Sequence, residues 1–170
     1  MSDHAHSPFP ALGHDHADCV RDAIATAEAL CDKEGARLTD IRRRVLELVW
    51  NSHVPVGAYA LLDALRDEGQ KAAPPTVYRA LDFLLEHGLV HRVERLNAFV
   101  GCSHPDSPHA ALLMLCSGCG RAAELEDEQV GKSLRAAASR LGFGMARQTV
   151  EIEGLCADCQ ARSTNMQASA

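Results

Sequence analysis

Residues 74–88 read PPTVYRALDFLLEHG, and the segments on either side make most sense as ways of holding this one against a partner. The spacing predicts a short amphipathic helix, with Thr76 as N-cap behind two prolines and Gly88 where a left-handed residue ends it. Val77, Leu81, Leu84 and Leu85 recur at i, i+4, i+7 and i+8 and form one stripe that must be buried. Tyr78, Arg79 and Asp82 then point elsewhere. An aromatic ring and a guanidinium in the first exposed turn suit a helix that reads base edges in a major groove, where arginine can make a bidentate contact to guanine. A solvated polar face is the plainer reading, and the flanking segments decide between the two.

Upstream, Val20, Ile24, Ala27 and Cys31 fit a helix from Asp18 that stops at Gly35, with Cys19 and Cys31 read as small apolar side chains. Thr39 opens a second helix that carries Ile41, Val45, Leu48 and Val49 on one face. Arg42, Arg43 and Arg44 lie at its margin, either solvated or set to meet phosphates. A third helix runs from Tyr59 to Arg66 and ends at Gly69. Downstream the period changes: LVHRVERLNAFVG, residues 89–101, is a strand-like hairpin about an Arg95, Leu96, Asn97 turn. Helices followed by a hairpin is the order of a winged helix-turn-helix, which raises the DNA reading of Arg79.

The formal charge of −6 argues superficially against nucleic acid, but it is unevenly spread. Residues 37–100 hold nine basic and eight acidic side chains, so only the middle of the chain is net positive, and the excess of acid is concentrated in the two ends. Residues 1–17 carry His4, His6, His14 and His16 without periodicity and read as a disordered His-rich arm, able to bind metal loosely. No apolar run is long enough to span a bilayer and no signal peptide is visible, so a cytoplasmic location is expected. Seven cysteines in such a chain point to metal or redox chemistry before disulfides.

Two CxxC knuckles, Cys116-Ser-Gly-Cys119 and Cys156-Ala-Asp-Cys159, are the strongest local signal. Two such turns complete a closed tetrahedral sulfur site for zinc, and neither lies where a redox pair would have its thiolate activated. Between them the chain alternates: strand Ala111 to Leu115, strand Ala122 to Leu125, helix Asp127 to Leu141 with Val130, Leu134 and Leu141 inward, and strand Ala146 to Ile152. This α+β unit of about 60 residues is small, and a metal and a second subunit would each stabilise it. Residues 161–170 read as a frayed tail. His91, Cys102, His109 and Glu124 offer a second, mixed set of ligands that suits zinc over harder cations, with His104 competing for the linker position. A metal held by all four would fasten the hairpin to the distal unit, a switch for how two DNA helices are presented across a dimer.

These residues resemble the ferric uptake regulator superfamily, and specifically its zinc uptake regulator branch. The resemblance covers about residues 20–160 and is anchored on RLTDIRRRVLELV from Arg37, AYALLDALR from Ala58, PPTVYRALDFLLEHGLVHRVE from Pro74, CSGCGRAAE from Cys116 and EIEGLCADC from Glu151. It implies a winged-helix DNA-binding domain, residues 18–101, followed by a dimerisation and metal-binding domain, residues 102–160. It also implies two zinc ions per chain, a structural one at Cys116, Cys119, Cys156 and Cys159 and a regulatory one at His91, Cys102, His109 and Glu124. Tyr59 and Arg79 fall on DNA-contacting positions, with Tyr78 beside them in the same motif and Thr76 at the head of the helix counted with them. The expected protein is a zinc-responsive repressor whose homodimer binds an inverted-repeat operator, with no membrane partner and no small-molecule substrate. The rivals are a sibling regulator sensing iron, manganese or peroxide, and a zinc carrier that uses the His-rich arm. An enzyme is not expected, because four candidate ligands leave no open position for water.

Overall fold

The computed structural model describes residues 9–10, 14–106 and 111–167. They divide into two compact units, one of residues 14–106 and one of residues 111–167 with Phe9 and Pro10. Among the described residues no helix is long and apolar enough to cross a membrane.

The first unit is α1 (His16–Glu34), α2 (Asp40–Trp50), β1 (Val56–Gly57), α3 (Ala58–Asp67), α4 (Pro74–Glu86), β2 (Val90–Val93) and β3 (Ala98–Gly101). This is the expected winged helix-turn-helix. The stripe of α4 is buried as its period requires: Val77, Leu81 and Leu84 are sealed together with Val45, Leu46 and Val49 of α2 and Leu61 and Leu65 of α3. The start of α4 differs from expectation. Its N-cap is Ala73, both prolines lie inside the first turn, and Thr76 is the third helical residue. Proline lacks the N–H that a first turn leaves unused and its φ is already helical, so the pair begins the helix where it was expected to precede it.

The wing is a three-stranded antiparallel sheet in the order β1-β3-β2, with His91 opposite Val100. Between its two long strands lies a single 3-10 turn, Glu94–Leu96, closed by Asn97 at φ 47. Gly101 ends β3 because nothing larger fits: a Cβ there would lie 2.1 Å from Cε2 of Trp50. Each of the three arginines of α2 has a partner within the first unit. Arg43 pairs with Glu28, Arg44 with Glu47 and Glu68, and the Arg42 guanidinium lies 3.6 Å above the Phe83 ring.

Residues 14–17 do not belong to a disordered arm. Asp15 accepts the backbone N–H of Ala17 at 2.8 Å and caps α1, so the helix begins at His16, before the expected Asp18.

The second unit holds β4 (Ala111–Cys116), β5 (Ala122–Glu124), α5 (Glu128–Arg140), β6 (Thr149–Gly154) and α6 (Ala157–Gln167). The sheet order is β5-β4-β6, with β4 antiparallel to β5 and parallel to β6. Asp127 caps α5 through the N–H groups of Gln129 and Val130. Two expectations are corrected here. Leu134 and Leu141 were expected inward, yet they are 38% and 85% exposed, and only Gly131 of α5 is buried. Among the described residues of this unit nothing buries these two side chains. Residues 161–167 are helical, not frayed, because α6 continues directly out of the second knuckle, where Arg162 reaches back to the Cys159 sulfur at 2.9 Å.

Candidate metal centres and nucleic-acid face

The parallel register of β4 and β6 explains the sulfur cluster. Cys116 pairs with Gly154 at the end of the sheet, so the two knuckles leave from neighbouring strands on the same side. Ser117 donates its N–H to the Gly154 carbonyl at 2.8 Å, and Cys156 donates its N–H to the Cys116 sulfur at 3.3 Å. Gly118 allows the turn to close: a Cβ there would stand 2.9 Å from the Cys159 sulfur. The four sulfurs of Cys116, Cys119, Cys156 and Cys159 all lie within 4.8 Å of one another. Zinc–sulfur bonds of about 2.3 Å at tetrahedral angles put sulfurs about 3.8 Å apart. Cys119 and Cys156 stand at 3.9 Å, so this donor set fits zinc.

The surroundings lower the thiols of Cys116 and Cys119 and raise that of Cys159. Burial pushes the Cys116 thiol up, but N–H groups of Cys156, Cys119 and Gly118 outweigh it and bring it down to about 6. Burial likewise pushes Cys119 up, and the Arg121 guanidinium overcomes it. Burial pushes the Cys159 thiol up to about 11, and the neighbouring sulfurs of Cys156, Cys116 and Cys119 add to the shift.

Arg121 is the functional residue that the sequence reading missed. It is the one buried charged side chain among the described residues. Its Nε donates to the Cys119 sulfur at 3.2 Å and one terminal nitrogen lies 3.6 Å from the Cys156 sulfur and 3.0 Å from Asp158. The other donates to the Pro10 carbonyl at 2.5 Å, and Phe9 packs on the cysteine cluster. A guanidinium beside thiolates offsets their charge and fixes their direction, as outer ligands of metal sites do. An arginine two residues beyond a CxxC was the available signal.

The second ligand set is spread over both units. In the first, His91 lies on β2 and Cys102 follows β3, where its N–H donates to the Leu89 carbonyl at 3.1 Å. Cys102 is buried, and a His91 ring nitrogen and the Cys102 sulfur lie within 4.8 Å of each other. Glu124 ends β5 of the second unit. His109 lies outside the described residues, and His104 is exposed in the segment after Cys102.

The DNA-facing candidates are presented as the helical period demands. Tyr59 stands in the first turn of α3 at 66% exposure, Tyr78 in the first turns of α4 at 42%, and Arg79 is exposed beside it. Thr76 is half-buried at the start of the same helix.

A profile described as the ferric uptake regulator family matches residues 33–153. The zinc uptake regulation protein of Escherichia coli (strain K12) is 41% identical over 141 residues, 82% of each chain. That of Mycobacterium tuberculosis (strain ATCC 25618 / H37Rv) is 30% identical over 129 residues, covering 74% of this chain and 96% of its own. A solved structure described as zinc uptake regulator complexed with zinc and DNA superimposes with a TM-score of 0.80 at 40% identity, covering 85% of this chain and 97% of that one. With a winged helix, a closed four-sulfur cluster and this breadth of likeness, the chain belongs to the ferric uptake regulator family, in its zinc uptake branch.

Proposed function

We propose that the protein is a zinc-responsive transcriptional repressor acting in the cytoplasm, a homodimer that binds an inverted-repeat operator when loaded with zinc and blocks zinc-acquisition genes. It is a regulator and not an enzyme. The similarity to zinc uptake regulators, one of them solved with zinc and DNA, supports the reading. The observation that carries the choice of metal is Cys102, a buried sulfur beside the His91 imidazole at the root of the wing. Sulfur and imidazole suit zinc, whereas iron and manganese sensors favour carboxylate and imidazole.

In this reading Cys116, Cys119, Cys156 and Cys159 hold a structural ion that stays bound. His91, Cys102, His109 and Glu124 take the regulatory ion, which supplies charge and fixed geometry at the wing. Tyr59, Tyr78 and Arg79 face the DNA, Arg79 reading a base edge, with Thr76 supporting them at the head of α4. The second copy covers the apolar side chains that the second unit leaves exposed, Leu134 and Leu141 with Phe143 and Ile152. DNA affinity then rises by the difference in zinc affinity between the DNA-competent conformation and the others.

Chelator-treated protein titrated with zinc, iron(II) or manganese(II) against an inverted-repeat duplex tests the proposal. Zinc should restore binding at the lowest free concentration, and Cys102→Ser should remain a folded dimer that no longer responds. Stronger activation by iron or manganese would reassign the sensor.

A further inference from the structure

The ring of His14, just before α1, and that of His16, its first residue, have centroids 4.4 Å apart. His53, in the loop between α2 and β1, joins them at 4.8 and 4.9 Å. Nε2 of His14 and Nε2 of His53 are 2.9 Å apart, and one nitrogen from each of the three rings lies within 4.8 Å of the others. All three side chains are half-buried, and Nδ1 of His16 is buried with no hydrogen-bond partner among the described residues. The Cys19 sulfur stands 3.3 Å from Nε2 of His14.

We propose that His14, His16 and His53 form a third metal site, for a transition-metal dication of the zinc class, that pins the first turn of α1 to the α2–β1 loop. One cation can meet a nitrogen of all three rings at once, because those nitrogens already lie within 4.8 Å of one another. A contact between two Nε2 atoms needs one protonated and one bare nitrogen, and protonating all three rings would set like charges together. A dication accepts a lone pair from one nitrogen of each neutral ring. Zinc–nitrogen bonds of about 2.0–2.1 Å at tetrahedral angles place nitrogens about 3.4 Å apart, so closure asks for small adjustments only. Imidazole alone suits zinc, copper, nickel and iron, while calcium and magnesium want oxygen. The fourth position is left for water or, after a small shift, the Cys19 thiolate.

The site stands on the geometry of the first unit alone and does not depend on the repressor reading or on Cys102. Its consequence is local. The loop that carries His53 leads through β1 into α3, whose first turn presents Tyr59, so an ion here stiffens the approach to that face. The segment before α1 is thereby anchored as well.

Full-length wild type, His53→Asn and His14→Asn are equilibrated at matched free zinc and the bound metal counted per chain. Nitrogen-15 spectra follow the imidazoles in parallel. The wild type should hold one more zinc per chain than either variant, at a free concentration above that which fills the four-cysteine site. Zinc should shift the ring resonances of His14, His16 and His53 together. Cobalt substitution gives the thiolate charge-transfer band of the cysteine site and reports that each variant is folded; should His53→Asn lose it, His14→Asn decides. Equal zinc counts in wild type and a folded variant, or ring resonances indifferent to zinc, would overturn the site. Loss of zinc response in Cys102→Ser alone, with these counts unchanged, bears only on the regulatory reading.

Discussion

Replacing Arg121 by methionine keeps most of the buried stem volume and removes the charge and every donor. The guanidinium contacts the Cys119 and Cys156 sulfurs, Asp158 and the Pro10 carbonyl, and it is 8% exposed. Zinc bound by four thiolates leaves a formal charge of −2. Arg121 and Arg162, the latter 2.9 Å from the Cys159 sulfur, are the cations beside it. Removing an outer-shell partner of this kind costs about 10–100-fold in metal affinity, or about 1.4–2.7 kcal/mol. At saturating zinc the same energy is lost from the fold by linkage, and in a unit of this size each kcal/mol lowers the melting temperature by about 4–8 °C. Arg121→Lys should recover only part of the loss, because an ammonium lacks the fork that spans two sulfurs. Competition with a chromophoric chelator gives the affinity, and calorimetric melts with and without excess zinc give the linkage. If the methionine variant holds zinc as tightly as wild type, the guanidinium is a packing residue and the charge argument fails.

Arg79→Ala should cost about 1–3 kcal/mol on a specific duplex and relax preference at one base pair, measured by binding to a panel of single-site variants; equal weakening on random DNA would mark a phosphate contact. Cys116→Ser should unfold the second unit as zinc leaves, seen as lost near-ultraviolet dichroism; an unchanged spectrum would remove the structural role of the cluster. Gly101→Ala drives a methyl into the Trp50 ring and should cost about 1–3 kcal/mol in urea unfolding, with a shifted tryptophan emission. Glu68 is held below its ordinary value of 4.5 by hydrogen bonds from Arg44. Its folded value lies under its unfolded one, so its contribution is present above pH 4.5 and is lost as the pH falls through the folded value. Glu68→Gln should therefore narrow its gap from wild type on acidification, and a gap independent of pH would refute the pairing.

The helices and the wing were legible because their signals are local. Gly35, Gly69 and Gly88 end their helices at positive φ where the sequence put them, and the stripe of α4 is buried at its predicted period. Local signals also left things out. Arg42, Arg43 and Arg44 look like a phosphate patch in a row of letters, and only the fold gives them Glu28, Glu68 and Phe83 as partners, each distant in sequence. Leu134 and Leu141 keep a correct helical period while facing outward, because periodicity shows that a face is apolar and says nothing of what covers it.

By itself the sequence determined the winged helix, the two knuckles and the kind of metal they suit, since capping, period and a two-residue gap between cysteines act within a few residues of chain. Only the tertiary structure decided that β4 runs parallel to β6, which sets the knuckles side by side across 37 residues. It alone put Arg121 against the sulfurs and brought His53 to His14 across 39. Those meetings depend on how packed elements return the chain in space, and sequence spacing carries no record of that distance.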